Sequence, residues 1–133
     1  PEDGFDIGAG LVFDTADRIG DALPFEGVFR LGSELLRDDL ADLLRAEKVY
    51  YLPTGESHRV QAARIEAIPP AAFAADGVAV AVREIQQQRI KYREFCERIA
   101  EAGCVGYFVS LAGRRAVYYG RSGESYVEPF PAT

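Results

Sequence analysis

The chain has no methionine, no tryptophan, two cysteines and one histidine among its 133 residues. Each shortage closes a class of function. A single histidine excludes the commonest His–His and His–Cys metal clusters within one chain. Cys96 and Cys104 make neither a CxxC motif nor a disulfide framework. The expectation is two reduced thiols packed as small hydrophobes in a cytoplasmic protein. The most apolar stretch, Pro69 to Val82, is broken by Asp76 and Gly77, so no run approaches the roughly 20 clean residues of a membrane span. Basic residues are in deficit, 15 against 21 acidic ones, for a formal net charge of −6. That balance argues against nucleic acid or an anionic membrane as partner. Arg114, Arg115 and Arg121 cluster near one predicted turn and read as its solvated face. A Gly-rich phosphate loop, a Ser-His-Asp order and a paired-carboxylate motif are also missing. Gly120-Arg121-Ser122-Gly123 is no nucleophile elbow, because no helix follows Ser122. No cofactor is expected. The start at Pro1-Glu2, without methionine or a signal-peptide pattern, fits a chain that continues upstream.

What is present is an echo. Val49-Tyr50-Tyr51-Leu52-Pro53-Thr54-Gly55-Glu56-Ser57 returns as Val117-Tyr118-Tyr119-Gly120-Arg121-Ser122-Gly123-Glu124-Ser125, 68 positions on (49 against 117). β-branched and aromatic residues followed by Thr-Gly or Ser-Gly predict a strand and a tight turn. Two copies of one unit are too few for a solenoid. Repeat 1 covers about residues 9–67 and repeat 2 about 77–131, in one domain spanning 1–133.

In repeat 2 the pattern predicts a helix from Gly77 to Gln88 with Asp76 as N-cap. A clearer helix runs from Lys91 to Ala102, with Tyr92, Phe95 and Ile99 on one face and Gly103 at its end. Strands are predicted over Val105–Leu111, Arg115–Tyr119 and Glu124–Phe130. In repeat 1 a short amphipathic helix is predicted over Leu11–Gly20. A second starts at Pro24, with Phe25, Val28, Phe29, Leu31 and Leu35 on its apolar side. Glu26 and Arg30 would pair there as Glu94 and Arg98 do in the second copy. Leu35 to Glu47 has helical spacing locally, but the offset lays Asp38–Leu44 over Gly106–Ala112 and assigns it a strand. The expected fold is α+β: two helix-helix-three-strand units sharing a core about an approximate twofold, with an antiparallel sheet.

At this point a resemblance emerges. Tyr92-Arg93-Glu94-Phe95-Cys96, Ala102-Gly103-Cys104-Val105, Ala116-Val117-Tyr118-Tyr119, Gly123-Glu124 and Val127-Glu128-Pro129-Phe130-Pro131 resemble the YbcV-like family, and Glu47 to His58 resembles that family's first half. This is a small bacterial group of unknown function, some members of which are labelled "phage envelope protein". The resemblance covers roughly residues 20–131. It implies internal duplication and brings no activity and no catalytic residues.

Adjacent tyrosines on a strand point to opposite faces. One of Tyr50/Tyr51 and one of Tyr118/Tyr119 should enter the core. The outward pair, taken as Tyr51 and Tyr119 with Glu56 and Glu124 beside them, would line a groove at the seam between the repeats. The expected function is a non-enzymatic module binding a small ligand or a protein at that seam. A small enzyme using Glu56 and His58 for acid–base chemistry is the rival. A homodimer pairing edge strands is the third possibility.

Overall fold

A Val-Tyr-Tyr run places a β-branched side chain and two rings at consecutive positions, and a pleated strand sends such neighbours to opposite faces. The computed structural model describes residues 4–6, 12–14, 23–25, 28–31, 34–35, 38–62 and 64–129. β1 (Gly4–Asp6) pairs with β2 (Val12–Asp14), and β3 (Leu23–Phe25), β4 (Val28–Leu31) and β5 (Glu34–Leu35) form a small antiparallel sheet. The main sheet takes β6 (Asp38–Asp42), β7 (Glu47–Tyr51) and β8 (Ser57–Gln61). It then takes β9 (Cys104–Ser110), β10 (Arg115–Gly120) and β11 (Ser125–Pro129), in the order β11-β10-β9-β6-β7-β8. Between the two trios lie α1 (Ala75–Gln86) and α2 (Tyr92–Glu101).

This architecture corrects the α+β expectation of two helix-helix-three-strand units. The molecule is sheet-dominated, and among the described residues the helix pair occurs once. Strands β2, β3, β4 and β5 stand where helices were predicted in repeat 1; residues 11, 15–20, 26–27 and 32–33 of those helices lie outside the described residues. The sequence holds a physical reason. At the 68-residue offset, Gly27 replaces Phe95 and Gly32 replaces Ala100 of α2. Each glycine costs a helix interior about 1 kcal/mol, and the first also removes the ring that anchors α2. The predicted Glu26–Arg30 helical pair fails with it: Arg30 lies in a strand, and Glu26 lies outside the described residues. Its counterpart forms, with Arg98 3.1 Å from Glu94 across one helical turn.

The strands do repeat, down to single residues. Asp38–Asp42 is a strand, so tertiary pairing wins over the local helical spacing of its leucines. Leu40 pairs with its own counterpart, Phe108. Tyr51 lies opposite Asp38 as Tyr119 lies opposite Gly106, and Tyr50 lies opposite His58 as Tyr118 lies opposite Tyr126. The turns match too. Leu52 N donates to Glu56 O at 2.9 Å and Gly120 N to Glu124 O at 2.9 Å. Gly55 and Gly123 take φ of 95° and 87°, a left-handed conformation that suits glycine. Pro53 in one copy and Arg121 in the other leave this geometry unchanged. In the preceding turns, Asp42 Oδ1 accepts from Leu44 N and Arg45 N, and Ser110 Oγ accepts from Gly113 N. Ala46 and Arg114 share the positive φ that closes them. The pairing is therefore symmetric about the Leu40–Phe108 contact.

Both helices cover one face of the sheet. Val78, Ala81, Val82 and Ile85 of α1, with Phe95 and Ile99 of α2, pack on Tyr50, Tyr107, Val109, Ala116 and Tyr118. Phe95 is fully buried among the rings of Tyr92, Tyr107 and Tyr118, at centroid distances of 6.2, 6.4 and 6.1 Å. The helices end differently from the N-cap prediction: Asp76 lies inside the first turn of α1, and Ala74 occupies the cap without a side-chain bond. The connector before α1 is pinned by Glu97, whose carboxylate accepts from the backbone N–H groups of Glu66 and Ala67 at 2.7 and 3.1 Å.

Candidate functional site

On the face that the helices leave bare, the strand registers align a row of apolar side chains across the sheet. Val127 lies opposite Val117, Val117 opposite Phe108, Phe108 opposite Leu40, and Leu40 opposite Val49. Polar rows flank it. One holds Tyr51, Asp38 and Ser110, and the other Tyr119, Gly106 and Asp42. The twofold that relates Leu40 to Phe108 exchanges these rows, so Asp38 and Gly106 occupy equivalent places.

Two equivalent pairs in these rows differ, Asp38 against Gly106 and Ser110 against Asp42, and the first of them breaks the symmetry of the outer face. A Cβ built at Gly106 would lie 2.5 Å from Tyr119 Oη and 2.7 Å from Ala41 O, because the Tyr119 phenol occupies the space a side chain would need. Burial pushes the Tyr119 hydroxyl above its ordinary pKa, and the Asp42 carboxylate adds to the shift. In the other half the equivalent position opposite Tyr51 carries Asp38, which has a side chain where Gly106 has none. That half holds an open depression of about 350 Å³ bounded by Asp38, Leu40, Tyr51, Leu52, Pro53, Gly55 and Phe108.

The structure separates the residues predicted to form one groove. Tyr50 and Tyr118 are fully buried, so Tyr51 and Tyr119 are the outward members of each pair, both half-buried. Tyr51 lines the depression; Tyr119 lies three strands away, roughly 14 Å across the sheet. Glu56 sits exposed in the turn beside Gly55, and Glu124 sits exposed in the matching turn beyond Tyr119. His58 is exposed on the edge strand β8. Among the described residues no hydrogen bond or ion pair joins its side chain to Glu56. No group of three His, Cys, Asp or Glu side chains is placed to hold a metal among the described residues. Leu40 and Phe108, which form the floor, were not singled out from sequence.

A second constellation lies inside, under the helices. Asp39 and Lys48 are buried, at 5% and 0% exposure. Lys48 Nζ stands 4.1 Å from the centroid of the Tyr92 ring, the geometry of a cation–π contact. The Tyr92 and Tyr107 hydroxyls are hydrogen-bonded to each other. Tyr118 Oη donates to Glu128 Oε1 at 2.8 Å, and Gln86 Nε2 donates to Glu128 Oε2 at 2.9 Å. Among the described residues neither carboxylate oxygen of Asp39 has a hydrogen-bond partner. Burial pushes its pKa up to about 6, against the opposing pull of Lys48 and with a smaller push from Asp38. Burial likewise lifts Tyr92, Tyr107 and Tyr118 well above the ordinary phenol range and Cys104 to about 11. Cys104 Sγ donates to Gly106 O at 3.1 Å, and both cysteines are free and buried. The sequence carried a signal for this cluster: Lys48 stands two residues before Tyr50, hence on the same face of the strand.

These features define a sheet-dominated protein with two helices on one face and an aromatic-floored depression on the other. The chain belongs to the family described as "Protein of unknown function (DUF1398)", whose match covers residues 43–128. That match bears out membership of an uncharacterised family, and it carries neither the YbcV-like name nor an envelope role. No curated protein matches the chain. Among the described residues no helix is long and apolar enough to cross a membrane.

Proposed function

We propose that the protein is a binding module that holds a small ligand, without chemistry, in the depression at the seam between the two meanders. The observation that carries this reading is the broken symmetry: one half fills its outer face with Tyr119, while the other keeps Asp38 and an open space above Leu40 and Phe108. Its volume of about 350 Å³ is that of a small-molecule site, and an apolar lining with few polar groups is the usual composition. Tyr51 supplies contact area with a polar tip, and Glu56 stands in the turn at the rim. Buried, reduced thiols suit a cytoplasmic setting.

The test is a fragment screen followed by amide chemical shifts of nitrogen-15-labelled protein. Hits should shift Leu40, Tyr51, Gly55 and Phe108 while leaving Tyr119 and Ser125 in place. Hits that gather instead around Glu56 and His58, or a screen with no hits at the Leu40–Phe108 floor, would contradict the reading.

A further inference from the structure

We propose that Tyr118 and Glu128 form a reversible one-electron oxidation site inside the protein, with Tyr126 as the ring through which the electron leaves. The site stands apart from the depression and does not rest on it. Tyr118 has no exposed surface, and its hydroxyl donates to Glu128 Oε1 at 2.8 Å. Glu128 is itself buried, at 3% exposure. Its other oxygen accepts from Gln86 Nε2 at 2.9 Å, so both oxygens act as acceptors, as those of an ionised carboxylate do. Tyr126 lies opposite Tyr118 across the β10–β11 ladder, with ring centroids 6.3 Å apart, and it is half-buried. One ring is enclosed beside a proton acceptor, and its neighbour reaches the surface.

The chemistry follows from that geometry. A phenol that loses an electron becomes a strongly acidic cation radical, and a positive charge held in a dry interior is costly. Here the phenolic proton has a place to go. An external one-electron oxidant removes one electron from the Tyr118 ring by way of Tyr126. The O–H bond of Tyr118 breaks, and an O–H bond forms on Glu128 Oε1. Tyr118 is left as a neutral radical and Glu128 as a neutral acid, and the oxidant is reduced by one electron. A one-electron reductant reverses each change. Burial, with the Glu128 carboxylate adding to it, holds the Tyr118 phenol well above its ordinary pKa, so the resting site keeps its proton. The rings of Phe95 and Tyr107 lie 6.1 and 5.3 Å from that of Tyr118, and this enclosure keeps the radical from meeting another.

The composition directs oxidation to this place. Methionine and tryptophan are absent from the chain. Cys96 and Cys104 are buried, and thiol oxidation follows thiolate character and exposure. Tyrosine is left as the ready electron donor. The arrangement belongs to one half of the sheet. At the offset of 68 residues, Val60 stands in the place of Glu128 and His58 in the place of Tyr126, and a valine side chain takes no proton. Tyr50, the equally buried counterpart of Tyr118, serves as an internal control.

Flash photolysis of tris(bipyridine)ruthenium(II) with persulfate generates a one-electron oxidant beside the full chain. A long-lived neutral tyrosyl radical should then appear in the electron paramagnetic resonance spectrum. The infrared difference spectrum should gain the band of a protonated carboxyl group, which needs no variant to read. Tyr118→Phe keeps the ring and removes the hydroxyl. It should lose both the radical and the band, and divert oxidation to dityrosine cross-links between exposed rings. Tyr50→Phe should keep both signals, and Tyr126→Leu should lower the yield of the radical. A radical that persists in Tyr118→Phe, or one that disappears in Tyr50→Phe, would overturn the proposal. So would wild-type oxidation that yields only dityrosine. A Tyr118 radical without the carboxyl band would overturn the role of Glu128, and an unchanged yield in Tyr126→Leu would overturn the route.

Discussion

Phe95→Ala is expected to lower the free energy of unfolding by about 3–5 kcal/mol, the range for deleting a buried aromatic ring. Few changes to this chain should cost more. Phe95 has no exposed surface, and it is the point where α2 meets Tyr107 and Tyr118 of the sheet. Those tyrosines are held by their own hydroxyl bonds to Tyr92 and Glu128, so the site cannot easily collapse onto the cavity. Domains are stable by only about 5–15 kcal/mol, so the variant should be close to unfolding at 37 °C. Urea titration measures the loss. Phe108→Ala provides the contrast. Its ring lies on the half-buried outer face, and the same measurement should give roughly 1 kcal/mol, in line with ordinary substitutions. Equal losses at the two positions would show that the core is not centred on α2.

The second large effect is a pH dependence that runs against the usual one. The folded Asp39 has its pKa raised to about 6, from 3.8 in its unperturbed state. Between these values the folded protein binds a proton that the unfolded chain has lost, so stability falls as pH rises through the interval. At about 1.4 kcal/mol per unit the contribution is roughly 3 kcal/mol, present below pH 4 and lost above pH 6. The charges acting on Asp39 are Lys48, which opposes the shift, and Asp38, which adds to it. Other carboxylates titrate in the same window, so the quantity to follow is the difference between the wild type and Asp39→Asn. That difference should change by roughly 3 kcal/mol between pH 4 and pH 7 in favour of asparagine. A difference that stays constant across the window would mean that Asp39 is solvated or paired.

The sheet was legible in the sequence because the echo lies in the strands. The offset of 68 residues placed Asp38–Leu44 over a clear strand and overruled its leucine spacing, and the structure pairs Leu40 with Phe108 accordingly. That one tyrosine of each pair faces inward followed from strand parity. The helices of repeat 1 did not follow, because the offset was applied where the residues no longer matched. Gly27 opposite Phe95 and Gly32 opposite Ala100 were visible signs that the first copy cannot hold α2. The site was half legible. Tyr51 was found through its echo, but symmetry also brought in Tyr119 and Glu124, which lie off the depression. What distinguishes the halves is Asp38 against Gly106, a pair outside the echoed stretch. The buried Asp39 and Lys48 were hidden for a related reason: Tyr107 and Ala116 stand at their places in the second copy, so the repeat gave no hint of interior charge.

The account turns on Asp38 standing where Gly106 stands in the other half of the sheet, and a crystal structure of Asp38→Gly tests it directly. With the side chain gone, Tyr51 should lie down over residue 38 as Tyr119 does over Gly106, and the depression above Leu40 and Phe108 should fill. A Tyr51 ring left in its present place, over a depression still open, would contradict the account.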